Sequence, residues 1–278
     1  MTTRVAYQGE RGAYSEEALI QQFGTSAEAV PKPYLGNVFD AVEEEEVDAG
    51  LIPVENSLEG SIVHSYDLLY ERELKARGEV VLRVRHCLIA KPGVSIGDVE
   101  KVYSHPQALG QCRAYLEEHG LEAIATFDTA GSVRMLKELG CTDSAAIASS
   151  MAAEIYGMSV LARGIETHAE NYTRFLVLAL EDHPPTADDK TSIAFTLVNK
   201  PGMLCRALEP FAVKGIDLTR IEPRPQVGKP WEYVFFIDVL GHREDTGMRN
   251  ALSRLVESSS SVKILGSYPR ARAGEFNN

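Results

Sequence analysis

Apolar residues fall at two spacings along this chain, and the switches between them mark its elements. Short apolar runs at Val5-Ala6-Tyr7, Leu51-Ile52-Pro53-Val54, Val102-Tyr103-Ser104 and Ala145-Ala146-Ile147-Ala148 read as strands. Each is followed by a helix-spaced stretch: Ser15 to Phe23, Ser61 to Tyr70, Pro106 to His119 and Met151 to Tyr156. Strands alternating with helices predict an α/β unit in which helices cover a largely parallel sheet. Two further runs, Val80 to Val84 and Cys87 to Ala90, predict a crossing between two lobes, and hence a cleft.

The pattern breaks from Glu181 to Asp189, where two prolines and four acids interrupt it. Residues 183–190 therefore read as a linker. Beyond it come a strand (Ser192 to Val198), a helix (Met203 to Val213), strands at Leu218 to Glu222 and Tyr233 to Val239, a helix (Thr246 to Glu257) and a strand (Val262 to Leu265). The order βαββαβ predicts a ferredoxin-like sandwich, two helices on one face of an antiparallel sheet. The expected domains are 1–182 and 191–270, with 271–278 a disordered polar tail.

Composition narrows the function. The 278 residues are 44% hydrophobic, enough for a sizeable core. A formal charge of −12 argues against a nucleic-acid partner. No apolar run approaches the ~20 residues of a membrane span, and Met1-Thr2-Thr3-Arg4 leads straight into a strand pattern, so a soluble, cytoplasmic protein without a membrane partner is expected. Cys87, Cys112, Cys141 and Cys205 have no paired spacing, which predicts reduced structural thiols rather than disulfides or zinc ligands. The acidic run Glu43 to Glu46 reads as a solvated helix face.

Candidate chemistry gathers where strands meet helices. Gly9 to Ser15, Asn56-Ser57, Ser104-His105-Pro106-Gln107 and Thr129 to Ser132 put small or hydroxyl residues at helix starts, where free backbone N–H groups favour an anion. Plain N-capping explains any one junction, but four around one cleft point to a substrate with two carboxylates. The run Asn171-Tyr172-Thr173-Arg174-Phe175 adds a hydroxyl, a guanidinium and two rings ahead of an apolar strand. A small anion that loses an oxygen would need such a wall. No P-loop, dinucleotide fingerprint, nucleophile elbow or metal spacing can be read. His64, His86, His119, His183 and His242 have no evident partner, and His168 is close enough to Asn171 to face the site.

Four motifs in order, Gly9-Glu10-Arg11-Gly12-Ala13-Tyr14-Ser15, Pro53 to Ser61, Ser104 to Leu109 and Asn171 to Phe175, resemble those of prephenate dehydratases that carry a C-terminal ACT regulatory domain. The resemblance implies a two-lobed, periplasmic-binding-protein-like catalytic domain followed by the ferredoxin-like one. The family turns prephenate into phenylpyruvate with loss of water and carbon dioxide, and implies no cofactor and no metal. It assigns to Thr173 proton donation, or hydrogen bonding, to the leaving oxygen. Arg174 would bind a carboxylate or position the loop, and a structural ion pair is an open alternative. Phe175 would wall the ring, with Asn56, Ser57, Ser104, Gln107, Thr129 and Ser15 as further ligands. Glu55 or Glu59, if buried and protonated, rivals Thr173 as the acid.

In the second domain Asn199, Gly202, Met203, Leu204, Cys205, Leu218, Glu222 and Arg224 match the segments that enclose phenylalanine in the family. Met203 and Pro223 depart from the family's alanine and serine, which touches effector affinity rather than catalysis. The resemblance implies a homodimer or homotetramer inhibited by phenylalanine. An arogenate dehydratase and a non-catalytic amino-acid sensor are the competing readings.

Overall fold

The fold is that of a computed structural model, which describes residues 2–226, 228–229 and 231–271. The chain opens with β1 (Arg4–Gln8), α1 (Tyr14–Phe23), β2 (Glu28–Lys32), α2 (Leu35–Glu43), β3 (Ala49–Asn56), β4 (Gly60–Ser61), α3 (Val63–Glu71) and β5 (Lys75–Arg83). It then forms β6 (Cys87–Ala90), β7 (Lys101–Ser104), α4 (Pro106–Gln111), α5 (Arg113–Glu118), β8 (Glu122–Ala125), α6 (Thr129–Leu139), β9 (Ser144–Ala148), α7 (Ser150–Tyr156) and β10 (Ser159–Arg163). After β11 (Tyr172–Ala179) come β12 (Asp189–Thr196), α8 (Met203–Val213), β13 (Leu218–Pro225), β14 (Tyr233–Leu240), α9 (Thr246–Ser258) and β15 (Ser261–Pro269).

Three sheets result. The first runs β2-β1-β3-β11-β5 with β4 paired to β3, the second β10-β6-β9-β7-β8, and the third β13-β14-β12-β15. The first two are mixed rather than largely parallel. Their cores β2-β1-β3 and β8-β7-β9 are parallel, and one strand in each runs the other way: β11, antiparallel to both β3 and β5, and β6, antiparallel to both β9 and β10, each being the first strand its lobe receives after a crossing. Between lobes the chain crosses twice, at 84–86 and 164–171, and the crossings are bonded together: Val84 N–H donates to Asn171 O (2.8 Å) and Gly164 N–H to His86 O (2.9 Å). Away from this hinge the lobes touch again where Ser149 Oγ donates to Gly12 O (2.6 Å) and Arg134 pairs with Glu10 (3.2 Å). Gly12 has φ +85°, and a Cβ there would lie 2.6 Å from Ala152 Cα, so only glycine fits.

The helix expected over Pro106 to His119 breaks at Cys112 (φ −102°, ψ 13°). Gly110, a poor helix former, precedes the break, and Cys112 is wholly buried. The expected linker is shorter than 183–190. Asp189 already begins β12 and accepts from Thr186 N–H (2.6 Å), and Lys190 pairs with Glu79 (2.7 Å). Of the expected tail, 272–278 lies outside the described residues, and Ala271 N–H donates to Glu79 (3.0 Å).

The third sheet has the ferredoxin-like order. Ile193, Phe195, Ile237 and Val239 on one face pack with α8 and α9. On the other face Ala194, Val234, Phe236, Leu265 and Tyr268 join the core of the first lobe with Ala76, Leu176 and Leu178. There β15 lies on β5 at backbone distance: a Cβ on Gly266 would sit 2.0 Å from Ala76 O. Among the described residues no helix is long and apolar enough to cross a membrane, and all four cysteines are unpaired. Since no side chain can yield at Gly266, a Gly266→Ala protein is expected to lose at least about 3 kcal/mol of stability in urea unfolding, the upper range for overpacking.

Candidate active site

A cavity of about 210 Å³ lies between the lobes, and Ser15, Asn56, Gln107, Thr129, Thr173 and Phe175 of the expected ligands line it. It opens into an outer chamber of about 650 Å³ that shares Tyr14, Ser15, His105 and Thr129 and adds Lys32, Glu10 and Asp128. Three helices present their first turns to the inner cavity: α1 through Tyr14 and Ser15, α4 through Gln107, and α6 through Thr129. The helix dipoles favour an anion there, and the first-turn N–H groups of Gln107 and Gly131 are already capped by His105 Nδ1 (3.2 Å) and Asp128.

The two-residue period of a strand decides which motif residues face it. On β11, Thr173 and Phe175 point into the cavity, and Arg174 points the opposite way. Phe175 also belongs to the core under α1. Arg174 is not placed as a substrate ligand. Its Nε donates to Glu55 Oε2 (3.1 Å), Nη1 to Glu79 Oε2 (3.3 Å) and Nη2 to Tyr66 OH (3.0 Å), and Asp238 Oδ2 lies 2.9 Å from Nη2. Burial weakens the charges in this cluster, yet Arg174 and then Arg220 outweigh it at Asp238 and hold that carboxyl below its usual range. Removing one partner of such a buried pair costs about 3–5 kcal/mol.

Two hydroxyls are also spent elsewhere. Ser57 Oγ donates to Glu170 O (2.9 Å) and accepts from Tyr172 N–H (2.9 Å). Ser104, fully buried, donates to Ile147 O (2.6 Å), tying β7 to β9. Neither is a cavity ligand. Glu55 lies on the Arg174 side, paired with it, and Glu59 is exposed beside an outer groove that also holds His168. No carboxyl group lines the inner cavity among the described residues, so the rival acid and His168 are both displaced from it.

A chain of hydrogen bonds fixes Thr173, and its polarity follows from one anchor. Asn56 Oδ1 accepts from the backbone N–H of Leu58 (3.0 Å) and Glu59 (3.1 Å), so its Nδ2 must face the other way. Nδ2 donates to Thr173 Oγ1 (3.0 Å) and Asn171 Oδ1 (2.8 Å). Asn171 Nδ2 then donates to Gln111 Oε1 (2.8 Å), which also accepts from His86 Nε2 (2.8 Å). His86 therefore carries its proton on Nε2, and Nδ1 accepts from Tyr14 OH (2.7 Å). Burial, opposed by Gln111 and Glu166, lowers the His86 pKa, and burial together with Glu17 pushes that of Tyr14 far up. Both groups stay neutral, and Thr173 keeps its own proton for whatever occupies the cavity.

Tyr14, His86, Gln111 and Asn171 were not among the expected ligands. Gln111 was findable, since it follows Gln107 by one helical turn on the face that meets the cavity. The partner of His86 lies across the hinge, 25 residues away in sequence, and no local pattern signals it.

The expected effector residues separate into two groups. Gly202 (φ +82°) starts α8 beside Asn199, Met203 and the exposed Cys205, at the same end of the sheet as Arg224, while Leu204 and Leu218 pack into the helical core. A register shift between Leu218 and Arg220 turns Arg220, Glu222 and Arg224 toward the first lobe. There Ser61 Oγ donates to Glu222 (3.1 Å) and Asp67 lies 3.5 Å from Arg224.

The His86 shift sets a pH dependence. The unfolded chain takes up this proton near pH 6.5 and the folded chain only lower, so stability from His86 is complete above about 6.5 and is lost as pH falls through the folded value. Urea unfolding between about pH 5 and 7.5 is expected to show this slope, and His86→Gln to flatten it.

Comparison with known proteins bears on this geometry. A family model described as prephenate dehydratase matches residues 5–183. The chain is 42% identical over 270 residues to a bifunctional chorismate mutase/prephenate dehydratase of Stutzerimonas stutzeri, covering 96% of this chain and 73% of that protein. It is 44% identical over 277 residues to arogenate dehydratase/prephenate dehydratase 2 of Arabidopsis thaliana, covering 96% and 72%. The solved prephenate dehydratase of Arthrobacter aurescens in complex with L-Phe superposes with a TM-score of 0.89 at 32% identity, over 98% of this chain and 91% of that one. A structure titled GqqA, a quorum quenching acylase, does so with a TM-score of 0.89 at 34% identity, over 96% and 98%.

Proposed function

The chain belongs to the prephenate dehydratase family, and on that premise we propose that its cleft converts prephenate to phenylpyruvate with Thr173 as the donor to the leaving oxygen. The carrying observation is the Asn56–Thr173 bond of 3.0 Å in a cavity whose lining, among the described residues, holds no carboxyl group. Asn56 occupies the Thr173 oxygen, so the hydroxyl proton is directed at the ligand. As the bond from ring carbon to carboxylate breaks, its electron pair enters the ring and carbon dioxide leaves. The ring becomes aromatic as the C–O bond at the opposite carbon breaks, and the departing oxygen takes up one proton to leave as water. A threonine hydroxyl is a weak acid, so Thr173 acts by hydrogen bonding to the charge that develops on this oxygen, with water supplying the net proton. Aromatisation drives the step, and the chemistry calls for no redox group.

The two carboxylates are proposed to meet the helix starts at Ser15, Gln107 and Thr129, with Lys32 farther out. Phe175 closes the apolar side. Residues 1–182 serve as the catalytic unit. Residues 191–270 serve as a phenylalanine-responsive ACT domain, a reading supported by the L-Phe complex of the Arthrobacter aurescens relative. Asn199 to Cys205, Glu222 and Arg224 form its proposed effector end. The open edge of β13 suits pairing of subunits into a homodimer or homotetramer, and a cytoplasmic enzyme fits this pathway.

Arogenate is a second substrate reading, because Glu10 and Asp128 in the outer chamber give an ammonium group an acceptor. Acyl transfer gains no support: the hydroxyl bonded to a histidine in this cavity is the Tyr14 phenol, a poor nucleophile. The sensor reading gives way to the family assignment.

Removing the Thr173 donor is expected to lower kcat about 100- to 1000-fold with KM changed less than about threefold, as for a lost oxyanion donor. Steady-state assays of Thr173→Ala check this, and near-normal turnover would remove Thr173 from the mechanism. Phenylalanine at millimolar levels, within about 1–10 mM, is expected to bind in calorimetry and depress turnover of prephenate. Failure of both would withdraw the regulatory reading.

A further inference from the structure

Arg174 adjoins Thr173 in β11, yet its guanidinium is held by residues of two domains. Glu55, Tyr66 and Glu79 approach it from the first lobe. From the third sheet comes Asp238 of β14, 2.9 Å away and itself 2% exposed. This carboxylate is oriented by its own sheet: Ser192 Oγ donates to Asp238 Oδ1 (2.5 Å) while accepting from Tyr268 OH (2.7 Å). Its Oδ2, facing Arg174, makes no aligned hydrogen bond, so the link between domains is charge contact. Lys190 of β12 reaches the same cluster through Glu79 (2.7 Å).

The cluster continues to the effector edge. Asp238 is the register partner of Arg220 on β13. Arg220 stacks over the Tyr66 ring (4.1 Å) and donates to Ser61 (2.7 Å), which in turn donates to Glu222. A buried charge that loses its partner must find another or shift its backbone. Here that backbone belongs to the strand carrying Thr173.

We propose that Asp238 is a positioning residue for the reaction: through Arg174 it holds the register of β11 and hence the aim of the Thr173 hydroxyl, and a ligand that shifts β13 reaches the active site by this contact. The proposal rests on the function proposed above. Asp238 touches neither the cavity nor Thr173, and the proposed carboxylate contacts at Ser15, Gln107 and Thr129 lie off β11, so its effect is expected in turnover more than in substrate binding.

The test uses the full chain. Asp238→Asn is expected to lower kcat about tenfold with KM for prephenate within about twofold of the original protein. Asp238→Glu should restore at least about half of that loss. Arg174→Lys combined with Asp238→Asn should be no worse than the poorer single variant, because the two act as one unit. The phenylalanine effect on turnover should shrink about fivefold in Asp238→Asn while the calorimetric Kd for phenylalanine stays within about threefold. Full kcat with a full phenylalanine response would overturn the proposal. So would a lowered Tm with kcat per folded molecule unchanged. Should Asp238→Asn not fold, Ser192→Ala loosens the carboxylate more gently, and unchanged kinetics there would equally overturn it. An original protein that does not turn over prephenate refutes the proposed function itself. One that turns it over without binding phenylalanine removes the regulatory reading alone, and the kcat-against-KM split of Asp238→Asn still decides the positioning.

Discussion

The alternation of side chains along β11 is the constraint on which the rest of this structure depends. Bonded on both edges, to β3 and β5, and buried from Phe175 to Ala179, the strand cannot turn without breaking two ladders. One face gives Thr173 and Phe175 to the cleft, and the other gives Arg174 and Leu176 to the contact with the third sheet. Catalysis and the domain interface are therefore read from consecutive residues of one rigid element. A residue-level separation of the two tasks is not available to this fold, since a slip of one position would exchange them.

The polar chain from Tyr14 to Thr173 runs beside the hinge rather than across the open mouth of the cleft. His86 sits in one crossing and Asn171 in the other, with Gln111 supplied by the second lobe. Its polarity propagates from two backbone N–H groups that grip Asn56 and leaves the Thr173 proton for the cavity. The reacting hydroxyl therefore lies close to the paired crossings, while the lobes' second contact, at Gly12 and Glu10, lies away from them.

Much of this was legible in the sequence, and the failures have physical causes. The ferredoxin-like order was readable because each of its strands and helices is bounded by turn residues, and the helix Met203 to Val213 emerges with those same limits. Six of the expected ligands line one cavity, because helix starts follow strand ends in both lobes. For Arg174 the ion-pair alternative holds and the ligand reading does not: a guanidinium near a substrate motif suggests an anion, while its partners Glu79 and Asp238 lie 95 and 64 residues away (174 − 79 and 238 − 174) and leave no local signature. Ser104 misled for the opposite reason: a serine at a strand end looks available until the neighbouring strand claims it. Composition and spacing report local preferences, and these side chains are fixed by distant ones.

Beside the side chains that join the third sheet to the first lobe, the apposition of Gly266 on Ala76 is a point of contact without cushioning. Where side chains interdigitate, a sheet can creep by small repacking steps, each compensated by a rotamer. Two backbones in direct contact offer no such intermediates. At this one point the spacing of the two sheets is set by main chain alone, so it leaves no room for even a methyl group.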